Sequence, residues 1–375
     1  MQKMRLLTKP EDYTRIGVKP NSIEVWEDGR RTDDGTGEFE WWYFDAIMDD
    51  GTKVVVNFNS HMDDIMKTTV EQHIPPEARK TGDVRFLRVR VTESDGKTNH
   101  ETFLMFGADE TEISKDRCSV KFGSHMFAGD LEEYSIKVDP VQGTGVDLKL
   151  SSIGEPWRPG AGYFVFGEDE DRFFTWLCAV PKGIVTGTIT YGGKTLEVQG
   201  YGYHDHQWAN IDHVILWNNW MWARQNLGDY NLLVFDFISS AEYGYKRYPL
   251  VFVENSDGKI VFESFENENA KCEILEEYIQ EGTNKNYPKV SKYTFENEGK
   301  KLIYTLTADE EIEISDPYSA SPPAMRKHYD DHNLRPSYAR YSATGEFIYF
   351  DGTQTIERKT SLIYEFVHLG KEYKA

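Results

Sequence analysis

The chain has 375 residues, of which 39% are hydrophobic and 14% aromatic, so it is long enough to build two β-barrels with cores of their own. Its formal net charge is −21, and the acidic residues are spread along the whole chain. Nucleic acids and anionic membrane surfaces are bound by clustered Lys and Arg, so we expect neither as a partner. No run of eighteen apolar residues occurs, and we therefore expect no membrane-spanning helix.

The beginning of the chain and its cysteines point to the cytoplasm. The first fifteen residues, MQKMRLLTKPEDYTR, contain no apolar core followed by a cleavage site of small residues, so they do not resemble a signal peptide. Cys118, Cys178 and Cys272 are far apart, odd in number and in no metal-binding spacing. We interpret them as reduced, mostly buried thiols of a cytoplasmic protein.

Tight turns between strand-forming runs are the dominant local signal. Two-residue hairpin turns need positive φ angles, which Gly, Asn and Asp adopt at low cost. Five such dipeptides lie between two strand-like runs: Asp50-Gly51, Asp95-Gly96, Gly192-Gly193, Asp257-Gly258 and Asp351-Gly352. The pattern predicts many short antiparallel strands, which is typical of an all-β sandwich or barrel.

The flanking runs alternate apolar and polar residues with period two, as strands with one buried face do. The clearest four are Leu87, Val89, Val91; Tyr134, Ile136, Val138; Val146, Leu148, Leu150; and Leu302, Tyr304, Leu306. Helical patterns are scarce. Glu273 to Glu281 is one weak helix candidate, and residues 322–329 could hold a short helix.

A loose internal repeat predicts two domains. Trp41 to Phe44 runs into a turn and then an apolar strand, and Trp220 to Ala223 does the same much later. Each copy is typical of the first hairpin of an up-and-down barrel. We place the boundary after residue 213, which gives an N-terminal domain of residues 1–213 and a C-terminal domain of residues 214–375.

The densest group of polar side chains lies in Gly200 to Asn210, which reads GYGYHDHQWAN. If this stretch is extended, Asp205 faces one side while His204, His206 and Trp208 share the other. The glycines just upstream would allow the backbone to bend or to approach a neighbouring strand closely.

This polar group has three interpretations. Asp205 and His206 could be acid/base groups on a pocket wall, because imidazole exchanges protons near neutral pH. His204, His206 and His213 could instead bind a metal ion, although no further ligand follows at a familiar spacing. The third interpretation is structural, with a buried Asp–His pair and a core tryptophan.

Other candidate ligand-binding residues surround the two tryptophan-bearing strands. Glu40 precedes the tandem tryptophans and could be a buried carboxylate on a pocket floor that includes Trp42. Asp236 is a charge within the apolar run Leu232 to Phe237, so we expect it to be paired, neutralised or functional. The remaining candidates are Trp220, Trp222 and Arg224, the last as a partner of Asp236 across the hairpin.

Two stretches of the chain resemble the signatures of a known family. Glu40-Trp41-Trp42-Tyr43 is similar to the EWWY signature of the carotenoid 1,2-hydratase (hydroxyneurosporene synthase) family and its AttH-like lipocalin relatives. The stretch from Gly187 to Trp208 is similar to the second signature of that family, a Gly-rich hairpin that ends in a DHNW-type motif. The two signatures occur in the family's order, about 160 residues apart.

The resemblance implies two tandem lipocalin-like β-barrels. It also implies cofactor-free chemistry on hydrophobic small molecules, such as water addition to an alkene, with His206, Trp208 and Asp236 at the site. The chain departs from the family pattern at Gln207, where Asn is usual, and at Ala209, where Gly is usual. Val234 stands where a hydroxyl-bearing residue is expected, which puts the carotenoid reaction itself in doubt.

Hydration of an alkene needs a strong acid, a stabilised carbocation and a placed water. We expect Asp236, kept protonated by burial, to be the acid. Aromatic faces would stabilise the cation, and His206 with Asp205 would take a proton from water. The expected enzyme is a hydratase, lyase or isomerase that acts on a terpenoid-, prenyl- or polyphenol-like molecule without a cofactor or a metal.

Two alternatives stay open at this stage. A lipocalin-like barrel could be a non-catalytic carrier of an apolar ligand. It could also be a pericyclase that works by pocket shape and needs no acid. The sequence is compatible with a homo-oligomer and does not identify the substrate.

Overall fold

The structure is a computed structural model, and it describes residues 3–32, 39–61, 67 and 70–371. The chain divides into two compact units. The N-terminal unit comprises Leu7–Val165 and Arg172–Asp212. The C-terminal unit comprises Met1–Leu6, Phe166–Asp171 and His213–Ala375. The predicted single boundary after residue 213 remains a prediction.

Among the described residues, the first part of the chain contains thirteen strands and the helix α1 (Pro10–Ile16). The strands are β1 (Met4–Leu6), β2 (Phe39–Met48), β3 (Lys53–His61), β4 (Val84–Thr92), β5 (Asn99–Gly107), β6 (Thr111–Ile113), β7 (Ser119–Phe122), β8 (His125–Gly129), β9 (Glu133–Val141), β10 (Thr144–Ser152), β11 (Tyr163–Phe166), β12 (Arg172–Tyr191) and β13 (Lys194–Ala209).

These strands form one thirteen-stranded sheet, in which eleven strands lie in the order β5-β4-β3-β2-β13-β12-β10-β9-β8-β7-β6 and β1 and β11 lie off this path. The sheet curls until β4 and β5 approach β10, which makes the unit barrel-like. Its inner face carries the core, for example Trp42, Val56, Leu87, Ile136 and Leu177. The long hairpin β12–β13 pairs with β2, so the two sequence motifs singled out above lie on adjacent strands.

The rest of the chain is built from nine strands and two short helices. The strands are β14 (Trp217–Asn226), β15 (Tyr230–Ser239), β16 (Arg247–Asn255), β17 (Ile260–Ser264), β18 (Ala270–Gln280), β19 (Lys285–Asn297), β20 (Lys300–Ser315), β21 (Leu334–Phe350) and β22 (Thr355–Gly370). The helices are α2 (Pro317–Ala320) and α3 (Pro323–Asp331).

These nine strands form a second antiparallel sheet in the order β17-β16-β15-β14-β22-β21-β20-β19-β18. The sheet curls so that β16 and β17 approach β18 and β19. Its inner face is rich in aromatic side chains, among them Tyr293, Tyr304, Tyr341 and Phe347. The all-β prediction of two barrel-like units is therefore confirmed.

The predicted turns, alternating runs and one short helix agree with the structure, and one predicted helix does not. All five predicted turn dipeptides lie between consecutive paired strands, and the four alternating runs each bury their apolar side chains. The short helix predicted at residues 322–329 is α3. The helix candidate at Glu273 to Glu281 was wrong, because this stretch is part of β18 and pairs with β19. Cys272 and Tyr278 turn towards the core there, and strand pairing outweighs the weak helical pattern.

None of the helices among the described residues has the length and hydropathy needed to cross a membrane.

The glycines of β13 are required by close strand contact, as their position before the polar stretch predicts. A Cβ atom added to Gly200 would overlap the carbonyl oxygen of Ile47 and lie 2.6 Å from Cα of Met48, and both neighbours are backbone atoms that cannot turn away. We therefore expect Gly200→Ala to lower the free energy of unfolding by about 2–3 kcal/mol, measured by urea denaturation.

The matched control is Gly282→Ala, since a Cβ there would meet only the end of the Gln280 side chain at 3.2 Å. We expect this variant to unfold within about 0.5 kcal/mol of the wild type. Equal losses for the two variants would contradict the close-contact explanation.

Candidate active site

The polar stretch of β13 presents two different faces, as the alternation of its side chains predicts. His206 pairs across the sheet with Trp42 on β2 and Leu177 on β12, whose side chains belong to the barrel core. Asp205 pairs instead with Tyr43 and Cys178 and faces the other side. His206 and Asp205 are therefore in separate surroundings, although they are neighbours in the chain.

His206 lies between two buried carboxylates inside the barrel. Its Nε2 is 3.0 Å from Oε1 of Glu40, and its Nδ1 is 3.5 Å from Oδ1 of Asp28. All three side chains are almost completely shielded from solvent. Within the described part of the chain, Nδ1 of His206 and Oδ1 of Asp28 have no hydrogen-bond partner. One ring nitrogen is thus held by Glu40, and the other faces Oδ1 of Asp28 without a hydrogen bond among the described residues.

Glu40 is held in its ionised form by several donors. Oε2 accepts hydrogen bonds from the hydroxyls of Thr32 at 2.5 Å and Ser60 at 3.0 Å. Oε1 accepts from the backbone N–H of Arg31 at 2.6 Å, in addition to His206. Burial alone raises the pKa of Glu40, but the hydrogen bonds and charge of His206, together with those from Thr32 and Arg31, outweigh it and leave the pKa below its ordinary value.

Asp28 joins His206 to a second histidine. Oδ2 of Asp28 lies 3.0 Å from Nε2 of His204 and accepts the Tyr134 hydroxyl at 2.6 Å. The other nitrogen of His204 donates to the carbonyl oxygen of Tyr43 at 2.8 Å. Since both partners of the ring are acceptors, both of its nitrogens carry hydrogen and His204 is an imidazolium. Burial lowers the pKa of His204, but the Asp28 carboxylate outweighs this and raises it overall.

Asp28 was missed in the sequence analysis. It ends a short 3₁₀ turn, Val25–Asp28, that precedes the first long strand, so no strand periodicity marks it. Two contacts fix the turn: Glu27 forms a buried ion pair with Arg158 at 2.7 Å, and the indole N–H of Trp42 donates to the Asp28 carbonyl at 2.9 Å. The only sequence signal is an acidic pair next to Trp26, which is too common to single out.

Two indoles enclose the His206 ring. Trp42 stacks on it with a centroid distance of 4.5 Å and an interplanar angle of 19°, and Trp208 packs at 4.6 Å and 40°. Trp208 is fixed in turn by a hydrogen bond from its N–H to the Tyr163 hydroxyl at 3.3 Å. Of the predicted residues, Glu40, Trp42, His206 and Trp208 therefore come together in one buried cluster.

Asp205 does not belong to this cluster. Its Oδ2 accepts hydrogen bonds from Trp176 at 3.1 Å, Tyr203 at 2.9 Å and Gln207 at 3.2 Å. Burial raises the pKa of Asp205 to about 6, although these hydrogen bonds and the nearby charge of His204 oppose the rise. The carboxylates beside His206 are Glu40 and Asp28, not the adjacent Asp205 as the sequence suggested, because alternation along the strand separates neighbours.

The other predicted residues belong to the C-terminal unit. Asp236 is buried on the same face of β15 as the core residues Leu232 and Val234. Arg247 on β16 binds both of its carboxylate oxygens, with distances of 3.0–3.1 Å, and Tyr293 donates its hydroxyl at 3.0 Å. Of the three outcomes that the sequence left open for this charge, paired, neutralised or functional, the structure shows pairing.

The prediction that Arg224 is the partner of Asp236 was wrong. In the register between β14 and β15, Asp236 lies opposite Met221 and Arg224 lies opposite Leu233. Arg224 therefore points to the opposite face of the sheet. Trp220 and Trp222 share that outer face and are half-buried, and the guanidinium of Arg224 lies 5.6 Å above the Trp222 ring. These three residues and Asp236 therefore line different faces of the C-terminal sheet.

The structure does not support the predicted alternative in which His204, His206 and His213 bind a metal ion. His204 and His206 point their nitrogens at carboxylates and a carbonyl, and His213 belongs to the C-terminal unit. A different group, Asp28, Cys118 and His204, brings three ligand atoms within 4.8 Å of one another. Burial raises the pKa of the Cys118 thiol well above its usual range.

The sequence model of one protein family, described as AttH-like, matches residues 32–322. The chain belongs to the AttH-like family. This match extends over most of both units, and it confirms the AttH-like part of the resemblance without specifying a carotenoid hydratase.

One relative matches part of this AttH-like chain. The quinolone epoxide rearrangement protein penF of Penicillium thymicola is 26% identical over 251 residues, which are 61% of this chain and 62% of penF. The chain thus matches about three fifths of the length of that relative.

Two solved structures share the fold. A crystal structure of AttH from Nitrosomonas europaea superposes with a TM-score of 0.58 at 13% identity, covering 93% of this chain and 98% of that one. Kievitone hydratase from Nectria haematococca gives 0.53 at 12% identity, covering 98% and 97%. At such identities the likeness concerns the fold alone.

The environment of Asp205 leads to a stability prediction. Its pKa is about 6 in the folded protein and 3.8 for the unperturbed group. Between these values the folded state binds more protons than the unfolded state, so the stability contribution of Asp205 falls as pH rises from 4 to 6. By pH 7 the loss amounts to about 2–3 kcal/mol.

We therefore expect Asp205→Asn, which cannot ionise, to gain stability relative to the wild type as pH rises from 4 to 7. Chemical denaturation at each pH measures this difference. A stability difference that stays constant with pH would show that Asp205 titrates as an ordinary carboxylate.

Proposed function

We propose that the chain is a cofactor-independent lyase or isomerase that binds a hydrophobic small molecule and uses His206 as its general acid–base. The observation that carries this proposal is the state of the His206 ring, with Nε2 bound to Glu40 and Nδ1 without a hydrogen-bond partner among the described residues. A carboxylate on one nitrogen orients an imidazole and supports its charge, and the other nitrogen then exchanges the proton with the substrate.

Asp28 supports the same role from the other side. Its oxygen Oδ1, which has no hydrogen-bond partner in the part of the chain that the structure describes, lies 3.5 Å from Nδ1 of His206. The doubly protonated ring can therefore interact favourably with a carboxylate at each nitrogen, and the neutral ring with only one. A substrate atom placed beside Nδ1 would meet a proton donor whose charged form is stabilised by fixed groups.

The indole rings of Trp42 and Trp208 can stabilise a cationic intermediate. Trp42 and Trp208 present their ring faces at about 4.5 Å from His206, so charge that develops next to the imidazole would lie close to aromatic faces. Aromatic faces attract cations through their quadrupole. Protonation of an alkene or of an epoxide oxygen produces such positive charge on carbon, and a buried aromatic site keeps water from competing for it.

The reaction class follows from what happens after protonation. If a water adds to the cation and gives its extra proton back to a base, the product is a hydrated alkene. If the cation instead returns a proton to the base, either directly or after a neighbouring bond has migrated, the product is an isomer of the substrate. The relative penF is a quinolone epoxide rearrangement protein, which supports the second outcome. We propose that the substrate is a terpenoid-, prenyl- or polyphenol-like molecule with an alkene or an epoxide.

The test is a screen of such alkenes and epoxides by chromatography and mass spectrometry. Hydration adds the mass of one water, and isomerisation changes retention at constant mass. We expect turnover of at least one compound, and a ligand that is bound but recovered unchanged from every incubation would instead support the carrier alternative.

Variants of the cluster test the assigned roles. His206→Gln keeps an amide donor for Glu40 but does not exchange protons near neutral pH, so we expect it to lose ~10²–10⁴-fold in kcat with little change in ligand binding. Glu40→Gln should cost a similar factor. His100→Asn is the control, since His100 interacts with Glu93 on the hairpin β4–β5 and should keep full activity. A His206→Gln variant with normal turnover would rule out His206 as the acid, and it would favour the shape-only pericyclase.

Asp236 is tested separately, because its ion pair changes the expected role. Both carboxylate oxygens of Asp236 are bound by Arg247, and Tyr293 donates to one of them, so we propose His206 rather than Asp236 as the acid. Asp236→Asn leaves Arg247 without its partner, whereas the double variant Asp236→Asn, Arg247→Gln removes both charges.

We expect both variants to be active within tenfold of the wild type once differences in folded fraction are corrected by circular dichroism. A loss of ~10²-fold or more in kcat for both variants, with ligand binding intact, would restore the catalytic role that the sequence assigned to Asp236.

A further inference from the structure

We propose that His61 is a positioning residue of this site, which fixes Glu40 on His206 through the hydroxyls of Thr32 and Ser60. The inference rests on the proposed function for its catalytic consequence. Its structural part concerns only the hydrogen bonds of His61, and it can be tested without a substrate.

The contacts form an unbroken chain from His61 to His206. Nδ1 of His61 lies 3.0 Å from Oγ1 of Thr32 and 3.2 Å from Oγ of Ser60. Both hydroxyls reach Oε2 of Glu40, at 2.5 Å and 3.0 Å. The other oxygen of Glu40 holds His206 at 3.0 Å.

A β-bulge in the hairpin β2–β3 makes these contacts possible. Glu40 pairs with His61 across the hairpin, while the next residue, Trp41, pairs with Asn59. Ser60 is therefore the extra residue of the bulge, and both Ser60 and His61 lie opposite Glu40. A bulge re-aims side chains in this way and commonly occurs next to active sites.

Hydrogen-bond chemistry fixes the tautomer of His61. A hydroxyl has one hydrogen, and in Thr32 and Ser60 that hydrogen is donated to the Glu40 carboxylate, which can only accept. Each hydroxyl can therefore offer only its oxygen to His61, so Nδ1 of His61 must carry the hydrogen. Burial, with Arg85 next in importance, lowers the pKa of His61 and keeps the ring neutral at pH 7. The ring is thus the Nδ1–H tautomer.

The Nδ1–H group of His61 affects both the position of the hydroxyls beside Glu40 and the strength of their hydrogen bonds to it. The Nδ1–H group holds both hydroxyl oxygens beside Glu40, and a hydroxyl that accepts a hydrogen bond is a stronger donor itself. Without His61, the two hydroxyls would turn more freely and donate more weakly to Oε2. Glu40 would then be less firmly held, and its contact with His206 would change. His61 acts on His206 only through these groups.

The experiment uses the full chain with ¹⁵N-labelled histidine, in which the resonances of the ten histidines are assigned by single substitutions. In the wild type at pH 7, we expect His61 to show a protonated Nδ1 and an unprotonated Nε2. Two variants follow. His61→Phe removes the donor, and His61→Asn places an amide N–H group near the position of Nδ1.

We expect His61→Phe to shift the ring ¹⁵N resonances of His206 and His61→Asn to restore most of the wild-type values. The matched control is His125→Phe. His125 is another buried histidine of the same unit, and its Nδ1 accepts from the backbone N–H of Asp139 at 3.1 Å. This control should leave the His206 resonances in place.

An Nε2–H tautomer of His61, or His206 resonances that do not respond to His61→Phe, would overturn the inference. The same holds if His125→Phe shifts them equally, or if His61→Asn gives no rescue. These outcomes do not depend on turnover, so a failed substrate screen would leave the inference standing. With a substrate in hand, we expect a loss of roughly tenfold in kcat for His61→Phe, partly restored in His61→Asn.

Discussion

The arrangement inside the N-terminal barrel depends on the cost of burying charge. A carboxylate or an imidazolium removed from water loses several kcal/mol of hydration unless a partner replaces it. Two carboxylates, Glu40 and Asp28, and two imidazoles, His204 and His206, share the interior, and each lies at 3.0–3.5 Å from a group that can carry the opposite charge. With both rings protonated, the four side chains together carry no net charge.

Strand pairing explains how four such groups come within reach of one another. On β2 and β13, Trp42 lies opposite His206 and Glu40 lies opposite Trp208. Glu40 and His206 are therefore diagonal neighbours on the inner face, close enough for long side chains to meet. Asp28 enters from outside the sheet, on a turn fixed by Arg158 and by Trp42. The signature tryptophan thus has two functions, since it packs on His206 and also holds the turn that carries Asp28.

The sequence predicts the parts of this site that follow strand periodicity. Glu40, Trp42, His206 and Trp208 lie together because residues two apart on a strand share a face and the hairpin turns are marked by Gly and Asp; their role in a site stays a prediction. Their mutual contact is not predictable from alternation alone, since it depends on the register between β2 and β13.

The parts that the sequence does not predict come from irregular backbone. Asp28 lies on a 3₁₀ turn, and Ser60 and His61 lie at a bulge, where the period of two is interrupted. Arg247 was missed as the partner of Asp236 because it is on the next strand, β16, rather than on the hairpin partner β14. In each case the decisive contact joins residues whose spacing in the chain has no regular pattern.

Asp236 in one unit and the Glu40–Asp28 cluster in the other are both buried, but different cations compensate their charges. This difference affects which of the two sites can exchange protons. Arg247 keeps its charge at every accessible pH, so Asp236 faces a permanent cation. Glu40 and Asp28 face imidazoles, whose ordinary pKa lies close to neutrality. A proton can therefore leave or enter the N-terminal cluster without separating a permanent ion pair, and the fixed carboxylates stabilise the ring once the proton has returned. An imidazole and aromatic faces occur together at His206, which is why the proposed acid–base chemistry is assigned there.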